Sequence, residues 1–225
     1  KKIKIIMYGN KDIFIKFSNK KFFLNIYNKK FNLNKLQLSY FHKQNLECAI
    51  ACCLQLNVSP KLIVKSLKKM KCPPGRSETI NLKKISSKVI VDYAHSPDAL
   101  QNILKANTFR NKKPSLVFGC GGNRDKGKRK IMGKIAFELA GKVIVTDDNP
   151  RNETPHIIRS EILKYCPKAL EIPNRKVAIA EAVKNLEKNS ILVIAGKGHE
   201  KIQILKHKTI PFDDVKIVKQ ILLQY

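Results

Sequence analysis

The sequence predicts an α/β protein in which a mostly parallel sheet carries helices on both faces, and three observations predict it. From residue 89 onward, short apolar runs alternate with stretches of helical period. The runs at 89–91, 116–118, 143–145 and 191–194 have no polar side, as strands covered on both faces require. Each run opens into a polar loop, and right-handed crossovers between parallel strands gather such loops on one edge.

The elements follow in order. Residues 1–40 alternate apolar and polar positions, as in Ile13-Phe14-Ile15-Lys16-Phe17, with Asn-Lys pairs between runs, which predicts short antiparallel strands. Residues 46–56 read as a compact apolar helix with Asn45 at its N-terminus. Ser59-Pro60 caps a second helix reaching Met70. Cys72-Pro73-Pro74-Gly75 then breaks the chain and predicts a boundary between 1–75 and 76–225. Beyond it, strand 89–91 exits through Asp92-Tyr93-Ala94-His95, and Ser96-Pro97 starts a helix to about Asn107. Strand 116–118 leads into a glycine loop at 119–127 and a helix over 129–140. Strand 143–145 leads into Thr146-Asp147-Asp148-Asn149-Pro150-Arg151, with Thr154-Pro155 as N-cap and first residue of a helix to Tyr165. A helix over 175–188 precedes strand 191–194, which exits through Gly196-Lys197-Gly198-His199-Glu200. A strand at 202–205 and a helix after Phe212-Asp213-Asp214 close the chain.

Composition excludes several classes. No apolar run reaches the roughly 18 residues of a membrane span, and Lys1-Lys2-Ile3-Lys4 is not followed by a signal-peptide apolar region. Cysteines 48, 52, 53, 72, 120 and 166 form no C-x-x-C pair, which argues against zinc and for reduced thiols in a cytoplasm. The net charge of +28 raises the question of nucleic acid. Residues 1–75 hold 16 Lys against only Asp12 and Glu47, a balance of +14. Lys arrives there with abundant Ile and Asn and no Arg. That is a drift in residue usage more than an interface, and the stacking aromatics of a single-strand binder are missing. A basic polyanion-binding module stays open as the alternative class.

Two loops carry the clearest chemistry. Thr146 to Arg151 puts two carboxylates, an amide and a guanidinium at a strand's carboxyl end, where open α/β sheets bind ligands. Arg151 offers a planar fork suited to a carboxylate or phosphate. Gly119 to Arg129 is a strand-to-helix glycine loop in which Gly122 to Lys128 fits G-x-x-x-x-G-K. Arg129 stands where a phosphate loop needs Ser or Thr to ligate magnesium. The loop is therefore an anion-attracting turn without a nucleotide hydrolase's machinery. His95 and His199 sit on strand exits, where each can touch a ligand or serve as an ordinary surface histidine.

Taken together, Asp92-Tyr93-Ala94-His95-Ser96-Pro97-Asp98-Ala99-Leu100, the loop from Phe118 to Arg129, Thr146 to Arg151 and Ala195 to Glu200 closely resemble the Mur ligases of peptidoglycan synthesis. The likeness continues weakly upstream through Gly75-Arg76 and residues 41–45. It implies a Rossmann-like C-terminal amino-acid-binding domain over 76–225, preceded by the tail of a central ATP-binding domain over 1–75. It implies a branch that adds meso-diaminopimelate to UDP-N-acetylmuramoyl-L-alanyl-D-glutamate through an acyl phosphate, with ATP and Mg2+, in a cytoplasmic monomer. L-lysine is the runner-up amino acid. Arg124, Asp148, Asn149, Pro150, Arg151, Gly196 and Glu200 would hold meso-diaminopimelate, with Arg151 on the distal carboxylate that lysine lacks and Glu200 on the distal ammonium. Asn45, Arg76, Asp92 and His95 match positions that contact ATP. No catalytic residue is assigned to this chain and no metal ligand. The phosphate loop and the carboxylated lysine of relatives would lie upstream, so the 225 residues alone are expected to lack ligase activity. His42 departs from the family's usual Asn, Asp213-Asp214-Val215 lacks a following Arg-Glu, and the first 40 residues match nothing closely.

Overall fold

A computed structural model describes residues 6–9, 11–18, 21–33, 40–70, 73–109 and 111–223, with backbone alone for 17, 18, 21, 22 and 40–42. The expectations on Lys1 to Lys4, on Cys72 and on the side chains of Phe41 and His42 lie outside the described residues. The chain divides into two units, Lys1–Lys71 and Cys72–Tyr225.

In the first unit β1 (Ile13–Ser18), β2 (Lys21–Ile26) and β3 (Lys29–Asn32) form an antiparallel meander. Tyr27 and Asn28 both have positive φ, the geometry of a two-residue hairpin turn whose twist matches its strands. Alternation sends Ile13, Ile15, Leu24 and Ile26 to one face, where they pack with Leu46 and Ile50 of α1 (Tyr40–Gln55) and Ile63 and Leu67 of α2 (Pro60–Leu67). Helix α1 starts six residues before the expected position, so Asn45 lies inside it and not at its N-terminus. No Gly or Pro interrupts residues 40–46, and Lys43 reaches Glu47 at 3.8 Å one turn on, which supports the earlier start. Helix α2 stops at Leu67, short of Met70, because Lys69 and Met70 donate to carbonyls three residues back in tight turns.

The second unit is built on β4 (Glu78–Leu82), β5 (Ser87–Asp92), β6 (Ser115–Phe118), β7 (Val143–Val145), β8 (Leu170–Glu171) and β9 (Ile191–Ala195). Their order is β4-β5-β9-β6-β7-β8, and every pair is parallel except β4–β5. Helices α3 (Pro97–Ala106), α4 (Gly127–Leu139) and α5 (Pro155–Leu163) cover one face, and α6 (Arg175–Lys184) and α7 (Asp214–Leu222) the other. Successive strand residues divide between two cores. Ile90, Leu116, Phe118, Val145 and Val193 enter the first, and Val89, Val91, Val117, Ile144, Leu192 and Ile194 the second. That division is the reason these strands are apolar throughout. β10 (Ile202–Ile204) and β11 (Thr209–Pro211) form a hairpin of their own.

Caps follow the expected chemistry at three helices, the first cap being Ser59, whose Oγ accepts from Leu62 N at 3.4 Å. Ser96 Oγ accepts from Ala99 N, and Asp213 accepts from Lys216 N. Thr154 precedes Pro155 as expected but makes no side-chain cap bond. Helix α6 ends at Lys184, four residues early, because the Asn185 amide turns back onto the Glu181 carbonyl at 3.0 Å.

Candidate functional site

The exits of β5, β6, β7 and β9 lie on one edge because those strands are parallel neighbours. The glycine loop after β6 lies directly on the loop after β7. A Cβ at Gly119 would stand 2.1 Å from the Thr146 carbonyl oxygen, and one at Gly122 only 1.9 Å from that of Pro150. Gly122 N donates to Asn149 O at 2.9 Å and Asn152 N to Asn123 Oδ1 at 3.0 Å, which fastens the two loops together. Glycine is needed at these positions for close backbone approach.

The β7 and β9 loops are joined by a side chain that the sequence reading left without a role. Lys197 is 0% exposed. Its ammonium donates to Asn149 Oδ1 at 2.8 Å and Glu200 Oε2 at 3.1 Å, and lies 3.4 Å from Asp148 Oδ1. Asn149 Nδ2 donates to the same Glu200 Oε2 at 2.9 Å, while Ile204 N donates to Asn149 Oδ1. Burial pushes the Glu200 carboxyl up, but Asn149, Lys197 and the Arg151 charge outweigh it and hold the group below the usual carboxylate range. Asp148 and Asn149 are themselves buried, and the Asp148 carbonyl accepts from the buried Gln203 amide at 2.7 Å.

Arg151 turns at φ +52°, a left-handed conformation that costs a residue with a Cβ on the order of 1 kcal/mol. Its backbone N–H donates to Ile204 O, and its Nη1 donates to Gly122 O at 2.9 Å and Asn149 O at 3.3 Å. Arg124 is exposed. A Cβ built on Gly121 would lie 2.9 Å from Arg151 Nη1 and 3.8 Å from Arg124 Cγ, so both arginines flank this glycine on the edge that holds Glu200. Pro150 is buried and Gly196 sits against the Asp148 carboxylate. The seven residues assigned from the resemblance to an amino acid thus occupy contiguous loops.

Arg129, where a phosphate loop would have Ser or Thr, is 1% exposed and structural. It donates to Glu161 at 2.8 Å and Glu153 at 2.9 Å, tying α4 to α5. Asp125 Oδ1 accepts from Gly127 N, so one of the N–H groups at the start of α4 is already occupied. Asp147 points away from the cluster to Arg159, which also holds Glu171. Arg175 is fully buried, bidentate on Asp214 at 2.9 and 2.8 Å, and donates to Ala195 O at 3.0 Å. It anchors the end of β9 just before the loop that carries Lys197.

The residues assigned to ATP fall elsewhere. Arg76, Asp92 and His95 stand together at the β5 exit. Asp92 accepts from Ser77 N, Ser77 Oγ and Ala94 N, so its carboxylate fixes the 76–77 turn. The Arg76 guanidinium lies 4.5 Å from the centre of the Tyr93 ring, and His95 and His199 flank the same ring at 4.5 and 4.9 Å. Asn45 is exposed on α1 of the other unit.

A cavity of about 990 Å³ lies at the opposite edge, where Ser87, Ile191 and five lysines line the strands' amino ends. It holds no convergent acid, amide and guanidinium set, so the carboxyl edge is the better candidate. Among the described residues no group of three or more His, Cys, Asp or Glu could hold a metal ion. No chemistry is routed through a metal ion here. The Cys120 thiol is pushed up to about 12 by burial, which makes it unreactive. No helix among the described residues is long and apolar enough to cross a membrane.

Comparison with known proteins gives a consistent picture. The family model described as "Mur ligase, glutamate ligase domain" matches residues 75–198. A protein of Rickettsia conorii named "UDP-N-acetylmuramoyl-L-alanyl-D-glutamate--2,6-diaminopimelate ligase" is 44% identical over 185 residues, 80% of this chain and 38% of that protein. One of the same name from Buchnera aphidicola is 45% identical over 194 residues, 84% of this chain and 38% of its own length. A solved structure of the same title superposes with a TM-score of 0.64 at 32% identity, covering 96% of this chain and 46% of the other. The chain therefore spans less than half the length of these relatives.

Proposed function

The chain belongs to the Mur ligase family, and on that premise we propose that it carries the amino-acid site of an ATP-dependent ligase adding meso-diaminopimelate to UDP-N-acetylmuramoyl-L-alanyl-D-glutamate. The observation that supports this reading best is the single bonded cluster of Asp148, Asn149, Lys197 and Glu200, with Arg151 and Arg124 beside it. Meso-diaminopimelate has a zwitterionic centre at each end. A fixed carboxylate and two guanidinium groups on one edge match the distal centre, and L-lysine has no second carboxylate to offer them. Leaving such a guanidinium unpaired costs a ligand roughly 1.5–3 kcal/mol. In this reading the bound amino acid is oriented so that its free amine attacks the activated carboxyl of the nucleotide-sugar peptide. A C–N bond forms, the C–O bond to phosphate breaks, and the amine loses its proton. The contribution of these residues is position. Arg76, Asp92 and His95 would contribute to ATP contact, with Arg76 facing the terminal phosphate. Within the 225 residues there is no complete G-x-x-x-x-G-K-[ST], so phosphate transfer is not assigned to them.

The test is a calorimetric titration of meso-diaminopimelate into the purified chain. Saturable one-to-one binding is expected, and the absence of binding at millimolar ligand would overturn the reading.

A further inference from the structure

The strongest unclaimed feature is the buried ammonium of Lys197. A lysine with no exposed surface is costly unless its charge is paired and its donors are used. Here all three donors have acceptors, and all three acceptors belong to residues proposed above to meet the ligand: Asp148, Asn149 and Glu200. Asn149 Oδ1 takes bonds from Lys197 Nζ and from Ile204 N. That leaves only one way round for the amide, with Nδ2 on Glu200 Oε2 at 2.9 Å. Glu200 therefore has Oε2 engaged twice, while Oε1 accepts no hydrogen bond among the described residues. The Lys197 carbonyl also accepts from Glu200 N at 2.9 Å, which closes the loop on itself.

We propose that Lys197 is the positioning residue of the amino-acid site: it keeps Glu200 ionised, fixes the Asn149 amide, and so leaves Glu200 Oε1 free for the ligand's distal ammonium. This rests on the functional reading given above. Without Lys197, the Asp148 and Glu200 carboxylates would share one site with no cation between them, and one of the two would take a proton. Of the other charges near Glu200, Arg151 also favours its ionised form, but less than Lys197 does. Arg151, from the β7 loop, has its Nη1 on Gly122 O and Asn149 O. Arg175, from α6, is neutralised by Asp214 of α7. Lys201 is paired with Asp213 and is exposed, and His199, next in the chain, is exposed against Tyr93.

The test uses Lys197→Met, which keeps length and apolar stem and removes the charge, with Lys197→Gln as the second variant. Glu200 is followed by carboxyl 13C NMR in the absence of ligand, and meso-diaminopimelate binding is titrated between pH 5 and 9. In the unsubstituted chain Glu200 is expected to titrate below the ordinary carboxylate range and affinity to be flat with pH. In either variant the Glu200 midpoint should rise by about one pH unit or more, which is tenfold in proton affinity. Binding should weaken most at pH 5, where about half or more of Glu200 would then be protonated, by about twofold or more, and recover as pH rises to 8–9. Recovery at high pH separates positioning from mere loss of structure. A Glu200 midpoint in the ordinary range in the unsubstituted chain overturns the proposal, as does an unchanged midpoint or unchanged binding in a folded variant. If the unsubstituted chain binds no diaminopimelate, the functional reading fails, and the ligand-free titration still decides the role of Lys197. Should neither variant fold, a Glu200 midpoint in the ordinary range in the unsubstituted chain still overturns the proposal.

Discussion

Arg151 shows how much a single position can carry. Its side chain supplies a guanidinium to the edge, and its backbone at φ +52° bends the loop so that Asn149 and Glu200 meet. The two roles separate by substitution. Arg151→Ala is expected to weaken meso-diaminopimelate binding by about 10- to 150-fold, the equivalent of roughly 1.5–3 kcal/mol for one charged hydrogen-bonding partner. The melting temperature should stay within a few degrees, since the bonds lost are to two loop carbonyls. Unchanged affinity by calorimetry would remove Arg151 from the site. The sequence pointed to this residue through the family resemblance; alone, an Arg after Asp-Asn-Pro at a strand exit reads as well as a solvated turn. It hid Lys197. A lysine between two glycines in a chain with 45 Lys and Arg reads as one more surface charge. Only its burial and its three acceptors set it apart. Arg129, Arg159 and Arg175 were hidden for the same reason, since each is a cation whose acidic partner lies 12 to 39 residues away.

At the level of elements, the geometry of the edge depends on backbones in van der Waals contact. The glycine loop can lie on the β7 exit only because Gly119 and Gly122 have no Cβ. Gly122→Ala would place a methyl against the Pro150 carbonyl, a rigid group that cannot swing aside. It is expected to cost about 1–3 kcal/mol, the range for overpacking, read as a lower urea midpoint with the same slope. It should also uncouple Gly122 N from Asn149 O and so reduce ligand binding. A midpoint equal to that of the unsubstituted chain would show that the loops do not need this contact. Strands β5, β6, β7 and β9 were legible because each buries both faces and reads as a solid apolar run. β4 and β8 were not. The first is an antiparallel edge strand whose exposed face carries Thr79 and Asn81, and the second has only two residues. Their existence depends on the neighbour they pair with, which no local pattern encodes.

The molecule as a whole combines an excess of positive charge with carboxylates that are nearly all engaged. Arg159 bonding holds Glu171 below the ordinary carboxylate value. Burial works against Glu153 and Asp213, but Asn123 N and Arg129 outweigh it for the first, and Lys201 and Lys216 N for the second. A carboxyl depressed in the fold contributes stability that is present above its unfolded value, about 4–4.5, and is lost as pH falls through the folded value. Asp147 has the opposite sign. Burial raises it despite Arg159, so acid relieves a cost there and offsets part of the loss. As carboxylates are protonated, the net charge of +28 grows and self-repulsion adds to the loss. The urea midpoint is expected to be level between pH 6 and 8 and to fall steeply below about pH 4. A midpoint that holds constant to pH 3 would contradict this account of the ion pairs. The same charge produces salt-sensitive attraction to any polyanion, which is why charge alone does not identify the ligand and the edge chemistry must.

The most direct measurement sets meso-diaminopimelate against L-lysine on the same protein by calorimetry, at equal pH and ionic strength. Two guanidinium groups and an ionised Glu200 on one edge predict that meso-diaminopimelate binds at least about tenfold more tightly, the smaller end of a missing charged partner. They also predict that Arg151→Ala erases most of that preference. Equal affinity for the two amino acids, or a preference for L-lysine, would contradict the assignment of the edge as a site for a doubly zwitterionic ligand.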